Sequence, residues 1–336
     1  MDFSFPEYFT ISGNQLMNFR NGSFTSIDIN NPIDNFISID GIDYIFSPLS
    51  ENGNKGGNSI ILKLYEAQGF DMEDVEYGIP DRILKISKNY LRSNPNKGNI
   101  RFTKEIQALL NCKAHDHQNV IAMYEHGECH IYSKDKRRYY THQCYTMEYA
   151  AYDLKSYIEE KHSSLSIEEK LSLCISISEG LSELRKLGYY HRDLKPDNIF
   201  ITDNNIWKIG DLGLIEERDS NTIDDIAEFI GPKGWMTPEA MNKFLSEGKG
   251  FSFPHNCTID HQSDIFQLGK VFWYIFQHNA PIGTVKESDF LVKNSGIFSI
   301  IKTMLNHNKK KRYKDIDDIL KLLKPLETKI LKSATR

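Results

Sequence analysis

Several things are scarce in this chain, and each scarcity closes off a class of function. There are only 5 cysteines in 336 residues. Cys112, Cys129, Cys144, Cys174 and Cys257 are scattered and odd in number, which makes no disulfide framework and points to a reducing, cytoplasmic setting. No apolar run approaches the ~20 residues of a membrane span. The opening MDFSFPEYFT lacks the basic-then-apolar layout of a secretory leader. No internal repeat is present. Charge of neither sign dominates: 41 Lys and Arg stand against 46 Asp and Glu, a net of −5, so neither nucleic acid nor an anionic membrane is expected as a partner. What remains, 40% hydrophobic and 26% charged, suits a soluble globular chain of one large or two modest domains.

The most informative stretch runs from Tyr190 to Gly213, YHRDLKPDNIFITDNNIWKIGDLG. Ile199, Phe200 and Ile201 read as a buried strand, Asp203-Asn204-Asn205 as a turn that tolerates left-handed backbone, and Ile206 to Ile209 as the return strand. Gly210 then lets the chain bend into Asp211-Leu212-Gly213. Such a hairpin carries the Asp211 carboxylate back beside Asp193 and Asn198, with Lys195 between those two. Oxygen-bearing side chains converging beside an ammonium suit magnesium and a nucleotide polyphosphate. The plain alternative is a surface hairpin with clustered Asp and Asn.

This stretch resembles the protein kinase superfamily. HRDLKPDN matches the catalytic loop H-R-D-x-x-x-x-N, and DLG stands where the family has D-F-G. The resemblance extends over residues 42–326 and implies an α+β, bilobal fold: a small β-rich N-lobe and a larger α-helical C-lobe with the nucleotide cleft between. The expected divisions are an N-terminal extension (1–41), N-lobe and hinge (42–150), C-lobe (151–326) and a C-terminal tail (327–336).

Other segments fall into the same scheme. Tyr44-Ile45-Phe46 and Ile60 to Tyr65 read as strands flanking a glycine-rich turn. Such a turn brings backbone N–H groups close to phosphate oxygens. Asn54, Gly56, Ser59 and Ile61 take the four marked positions of G-x-G-x-x-G-x-V, with Gly57 inside it, so two of three glycines are replaced. A flexible hairpin is the alternative. After a polar connection from Glu66 to Asp81, Arg82 to Ile86 forms a strand in which Lys85 matches the family lysine and Ile83 stands where a small residue covers the adenine ring. Lys63 is a rival for the lysine role. On a helix predicted over 100–110, Phe102, Ile106 and Leu109 or Leu110 share a face. Glu105 there matches the ion-pair partner of Lys85. His117 to Ile121 leads into a strand, and a hairpin with its tip at residues 133–138 follows. Its second strand ends at Met147, Glu148, Tyr149 and Ala150, which the resemblance makes the adenine-binding hinge. The loose set Cys112, His115, His117, His126, Cys129 and His130 has irregular spacing, and zinc is the lesser reading.

Beyond the hinge the pattern is helical, beginning at Asp153 to Ile158. Ser166 with Glu168-Glu169 signals a helix start, Leu171, Ile175, Leu181 and Leu184 mark its buried stripe, and Gly188 ends it. After Gly213 comes a polar, acidic activation segment holding Ser220 and Thr222. Phosphate on either is expected to pair with Arg192, or Asp224 and Asp225 mimic that charge. Trp235-Met236-Thr237-Pro238-Glu239 resembles the A-P-E ending, with Glu239 expected to pair with Arg312. Ser263 to Gly269, SDIFQLG, matches the helix whose Asp264 holds the catalytic loop by its backbone N–H groups.

The resemblance implies transfer of the ATP γ-phosphoryl group to protein Ser/Thr hydroxyls, those of a second copy of the chain included through a transient homodimer. ATP and Mg2+, with Mn2+ as a substitute, are the implied cofactors. Asp193 orients the acceptor and takes its proton, Lys195 neutralises the γ-phosphate, and Asn198 and Asp211 hold metal. Lys85, held by Glu105, positions the α- and β-phosphates, and Phe200 joins Ile61, Ile83 and Met147 around the base. His191, Leu212 and Gly213 are structural members of these motifs. Lys195 favours Ser/Thr, whereas Pro232 replaces a threonine common in such kinases; Asp153 and Asp197 favour a basic peptide. A pseudokinase scaffold and a small-molecule phosphotransferase of related fold are the alternatives.

Overall fold

The computed structural model describes residues 2–4, 36–49, 59–66, 79–133, 138–202, 205–220, 222–250 and 255–334. The glycine-rich residues Asn54, Gly56 and Gly57 lie outside the described residues. So do most of 1–41, the connection 67–78, the hairpin tip 134–137, the turn residues Asp203 and Asn204, and 251–254. The chain divides into two units: Met1–Leu110 with Ala122–Tyr149, and Asn111–Ile121 with Ala150–Arg336.

The first unit is built on a closed seven-stranded sheet in the order β1-β2-β3-β4-β5-β7-β6. Its strands are β1 (Asp2–Ser4), β2 (Phe36–Ile39), β3 (Ile42–Pro48), β4 (Ser59–Glu66), β5 (Arg82–Tyr90), β6 (Met123–Ser133) and β7 (Arg138–Met147). β1, short as it is, pairs antiparallel with β2 and parallel with β6, so the sheet closes through it. The side-chain period of two decides the faces. Ile60, Leu62, Leu64, Leu84, Ile86, Cys129 and Cys144 fill the interior together with Ile37, Ile39, Tyr44 and Phe46. The alternate residues Ile61, Lys85 and Tyr145 are cross-strand neighbours on the other face, as are Lys63, Ile83 and Met147. Helix α1 (Lys97–Ala114) supplies Glu105 to that outer face.

His117–Ile121 leads into a strand as expected: Val120 makes a single bridge to Ile209, and β6 begins at Met123. Cys129 lies in the barrel core, and among the described residues no three His, Cys, Asp or Glu side chains gather as a metal group.

The second unit is mainly helical. α2 (Leu154–Lys161) starts at Asp153, whose carboxylate accepts from Ser156 N at 2.7 Å. α3 (Ile167–Lys186) starts at a full capping box between Ser166 and Glu169, which satisfies two N–H groups the first turn leaves over. It is followed by Gly188 at φ +86°, a conformation that glycine adopts without a Cβ clash. Leu171, Ile175, Leu181 and Leu184 of α3 are all buried. β8 (Tyr152–Asp153), β10 (Ile199–Ile201) and β11 (Trp207–Ile209) form one small sheet, β9 (Tyr189–Tyr190) and β12 (Glu216–Glu217) another. Then come α4 (Pro238–Ser246), α5 (His261–Gln277), α6 (Ser295–Met304) and α7 (Ile316–Ala334). At Gly269 a Cβ would lie 2.8 Å from Met304 Cβ, so a side chain there would push α5 off α6. α7 continues beyond residue 326; Ser182 and Glu179 of α3 bond to Asp317 and Lys324 along it, and Arg185 to Asp315 just before it. Among the described residues no helix is long and apolar enough to cross a membrane.

Candidate active site

In the first unit, alternation along β5 turns Lys85 out of the barrel core and toward α1. Its Nζ donates to Glu105 Oε1 at 2.7 Å, and both side chains are almost wholly buried. Tyr145 Oη donates to the same oxygen at 3.1 Å, and the Tyr145 ring packs against Phe102. The tyrosine was not foreseen as part of the site. Its signal was register, since it stands opposite Lys85 on β7. It is Lys85, rather than its rival Lys63, whose ammonium meets Glu105. Ile83 and Met147 face one another as bulky apolar neighbours two residues along from Lys85 and Tyr145. At the end of β7, Glu148 N donates to Ala122 O at 3.0 Å and its carboxylate accepts from Ala122 N. That N–H is therefore committed within the protein.

In the second unit the catalytic-loop stretch is held from several sides. Asp264, in the first turn of α5, accepts from His191 N at 2.8 Å and Arg192 N at 2.7 Å. It is fully buried, and burial pushes its carboxyl up to about 7 against the pull of those two N–H groups. Gln267, one turn further, accepts from Leu194 N and donates to Arg192 O. No role was read for Gln267 in the sequence. The available signal was a lone amide three residues after Asp264, on the same face of an apolar helix. His191 Nδ1 accepts from Asp193 N, so Nε2 carries the proton that bonds Gly210 O at 3.2 Å. Burial pushes this imidazole down to about 4, and it is neutral at pH 7.

Within that frame Asn198 Nδ2 donates to Asp193 O and to Asp193 Oδ2, each at 2.9 Å. Lys195 Nζ lies 3.5 Å from the same carboxylate oxygen. Burial pushes the Asp193 carboxyl up to about 6, with Lys195 pulling it down and Asp211 adding to the rise. The β10–β11 hairpin, paired Ile199 to Ile209 and Ile201 to Trp207, brings Gly210 N to Asn198 O at 2.9 Å. Asp211 follows directly, exposed and at φ +53°, while Leu212 is fully buried. Arg192 also has a left-handed backbone, φ +69°. Such residues cost on the order of 1–3 kcal/mol and persist where surroundings over-determine them, as Asp264 and Gln267 do here.

The donor set fits a divalent cation. Both Asn198 amide hydrogens are spent on Asp193, which leaves its carbonyl oxygen as the ligating atom, and Asp211 adds an exposed carboxylate. Hard oxygen donors of this kind suit Mg2+, whose remaining positions are filled by water and phosphate.

Further along, β12 pairs with β9, which fixes the chain after Gly213 to the residues just before His191. Thr237 caps α4 by accepting from Ala240 N. Glu239 takes Arg312 in two-point fashion, at 2.7 and 3.1 Å, with both side chains buried. Ser220 and Thr222 both donate to Glu216, and the Arg192 guanidinium is held by Glu216 and Asp224.

The family model for the protein kinase domain matches residues 83–334, about three quarters of the chain. It begins at Ile83, so β1 to β4 and the glycine-rich turn precede the match. The chain is 29% identical over 174 residues, 52% of its length, to a probable serine/threonine-protein kinase of Clostridium perfringens, of which 22% is covered. It is 30% identical over 128 residues, 35% of the chain, to eukaryotic translation initiation factor 2-alpha kinase 3 of Bos taurus, of which 10% is covered. It is 36% identical over 107 residues, 31% of the chain, to the serine/threonine-protein kinase Tao of Drosophila melanogaster, of which 10% is covered. The chain thus aligns with between a tenth and about a fifth of these relatives' lengths. With its α+β fold, its H-R-D loop and three quarters of its length in the match, the chain belongs to the protein kinase domain family.

Proposed function

We propose that this domain transfers the γ-phosphoryl group of ATP to Ser or Thr hydroxyls of protein substrates. The observation that carries the reading is the set around Asp193: a buried carboxyl raised to about 6, bonded to Asn198 and next to Lys195. A base with that affinity is a carboxylate at pH 7 and still takes a proton readily. Asp193 orients the acceptor hydroxyl and receives its proton, while Lys195 neutralises charge on the transferring phosphoryl. Asn198 and Asp211 would hold Mg2+, which would supply positive charge against the phosphates. Lys85, kept rigid by Glu105 and Tyr145, positions the α- and β-phosphates. Ile83, Met147 and Ile61 of the first unit, neighbours of Lys85 on its sheet, offer an apolar surface to the base. The Ser/Thr preference is supported by Lys195 two residues after Asp193 and by the named specificity of two of the relatives.

The test is incubation of the purified chain with radiolabelled ATP, Mg2+ and a generic basic protein. Label in protein is expected from the wild type, with Asp193→Asn lowering it at least 10³-fold while a fluorescent nucleotide still binds. Label in small alcohols alone would mean a phosphotransferase for small molecules. Nucleotide or partner binding with no label would mean a scaffold, a reading to which the bulky Ile83 lends its support.

A further inference from the structure

Away from the catalytic loop the second unit holds a cavity of about 360 Å³. It lies among the start of α4, the middle of α5 and the chain that follows α5 and α6. Its wall is mostly apolar: Met236, Pro238, Met241, Phe266, Pro281 and Leu305. Sites for small molecules span about 300–1,000 Å³ and share this make-up, an apolar wall with a few polar groups that fix orientation. Two of the six are methionines, whose unbranched thioethers adjust to a ring or a chain.

The polar groups of the wall are unequally committed. Thr237 Oγ1 accepts from Ala240 N as the cap of α4, and Asn242 Nδ2 donates to Asn256 O. The His307 ring lies edge-on to Phe266. Lys270, one turn along α5 from Phe266, is different. Its Nζ donates to Gly234 O at 2.6 Å and stands 6.0 Å from the centre of the Phe266 ring. An ammonium carries three N–H groups. Among the described residues the other two meet no acceptor, and no carboxylate pairs with them. Burial pulls this amine below the ordinary lysine value, and no neighbouring charge holds it up. Among the described residues no acidic side chain lines the cavity. A half-buried cation in an apolar wall is costly until an anion meets it.

We propose that this cavity binds a small monocarboxylic acid with an aromatic or aliphatic body, its carboxylate on Lys270 and its body against Phe266, Met241 and Leu305. Charge sets the class: one ammonium answers a monoanion, and a phosphate monoester would carry a second negative charge into an apolar wall. Volume sets the body, which is a single ring or a chain of medium length. Occupancy acts on the segment before α4, because Lys270 tethers Gly234 and the residues from Met236 to Pro238 are part of the wall. The site is independent of phosphoryl transfer, since no residue around Asp193 lines it.

The test titrates octanoate and phenylpropionate into the purified chain, with octanol and phenyl phosphate beside them, read by calorimetry and by hydrogen exchange over residues 234–242. Both acids are expected to bind saturably in the submillimolar range and to slow exchange there, with octanol and phenyl phosphate at least tenfold weaker. Lys270→Met should weaken the acids at least tenfold and leave octanol within twofold, while Lys270→Arg keeps most of the affinity. Met241, 41% exposed, gives a second variant that leaves Lys270 in place: Met241→Trp fills the cavity and should abolish binding of both acids. Equal binding of acid and alcohol, no saturation by either acid, tighter binding of phenyl phosphate, or undiminished binding in Met241→Trp would overturn the proposal. So would a peptide ending in phenylalanine that binds more tightly than both acids, which would make the cavity a dock for a protein C-terminus. A chain that binds the acids but labels no protein would remove the reading of function and leave this site standing.

Discussion

Two buried arginines of the second unit solve the same electrostatic problem differently. Arg312 spends all five of its N–H donors: on Glu239 twice, and on the carbonyls of Gln262, Asn306 and His307. Its plane also lies 4.7 Å from the Phe266 ring centroid, and its side chain is fully buried. One cation meets one anion, and Ser263 Oγ also donates to Glu239 Oε2. Arg192 faces two anions and leaves Nε unpaired, and one of those anions, Glu216, also accepts from the hydroxyls of Ser220 and Thr222. A buried pair gains from its Coulomb attraction only when geometry and hydrogen bonding are complete, and an incomplete one is easily tipped. The first site is built to stay closed; the second is built close to balance.

That contrast is broken most directly at Arg312. Arg312→Ala leaves Glu239 buried without a counter-charge, and loss of one partner from such a pair costs about 3–5 kcal/mol. Urea unfolding should show that loss, and an unchanged midpoint would mean the pair is not what closes the end of the segment. Arg312→Lys should recover little, because an ammonium cannot make the two-point contact or reach three carbonyls. Arg192→Ala takes the guanidinium from two nearly buried carboxylates, Glu216 and Asp224, and is expected to lower both the urea midpoint and activity.

The Lys85–Glu105 pair supplies an intermediate case, single-point but with Tyr145 as a second donor. Glu105→Gln keeps the shape and removes the charge; about a 10- to 100-fold loss in kcat/KM with little change in melting temperature is expected. Tyr145→Phe should cost less than tenfold, and a larger loss would make the tyrosine more than a brace.

The pH profile gives a smaller effect with a defined sign. Asp193 acts as a carboxylate, and its pKa is raised to about 6, so kcat/KM should rise with pH through about 6 and level off above it. Lys195 holds that value down, so Lys195→Met should move the inflection upward on top of lowering the plateau. An inflection that stays put would separate the two groups. The smallest effect belongs to Asp225→Asn. Asp225 is exposed and Arg192 is bonded to Asp224 instead, so both stability and activity should stay close to wild type.

Local features were the most legible from the chain alone. The Ser166 box on α3, the turn at Gly188 and the hairpin between Ile199 and Ile209 each depend on residues within about a dozen positions, and they are present in the structure. The pairs Lys85–Glu105 and Glu239–Arg312 were legible through motif order and are present as contacts. Less legible were Gln267, Tyr145 and Glu216, because nothing in their immediate sequence says which backbone or side chain they meet. The choice of Asp224 over Asp225 was open for the same reason. So was the closure of the first unit's sheet, which needs a three-residue strand far from its partner β6.

By itself the order of residues determined that an acid, an amide and an ammonium would share one short loop, since hydrogen bonds across five positions need no knowledge of the rest. Whether those groups are dry, and which of Asp224 and Asp225 meets Arg192, was decided only by the packed chain. Asp224 reaches Arg192 across 32 residues and Arg312 reaches Glu239 across 73. Water is excluded from both places by elements that no local pattern describes, and exclusion of water sets the strength of every charge they hold.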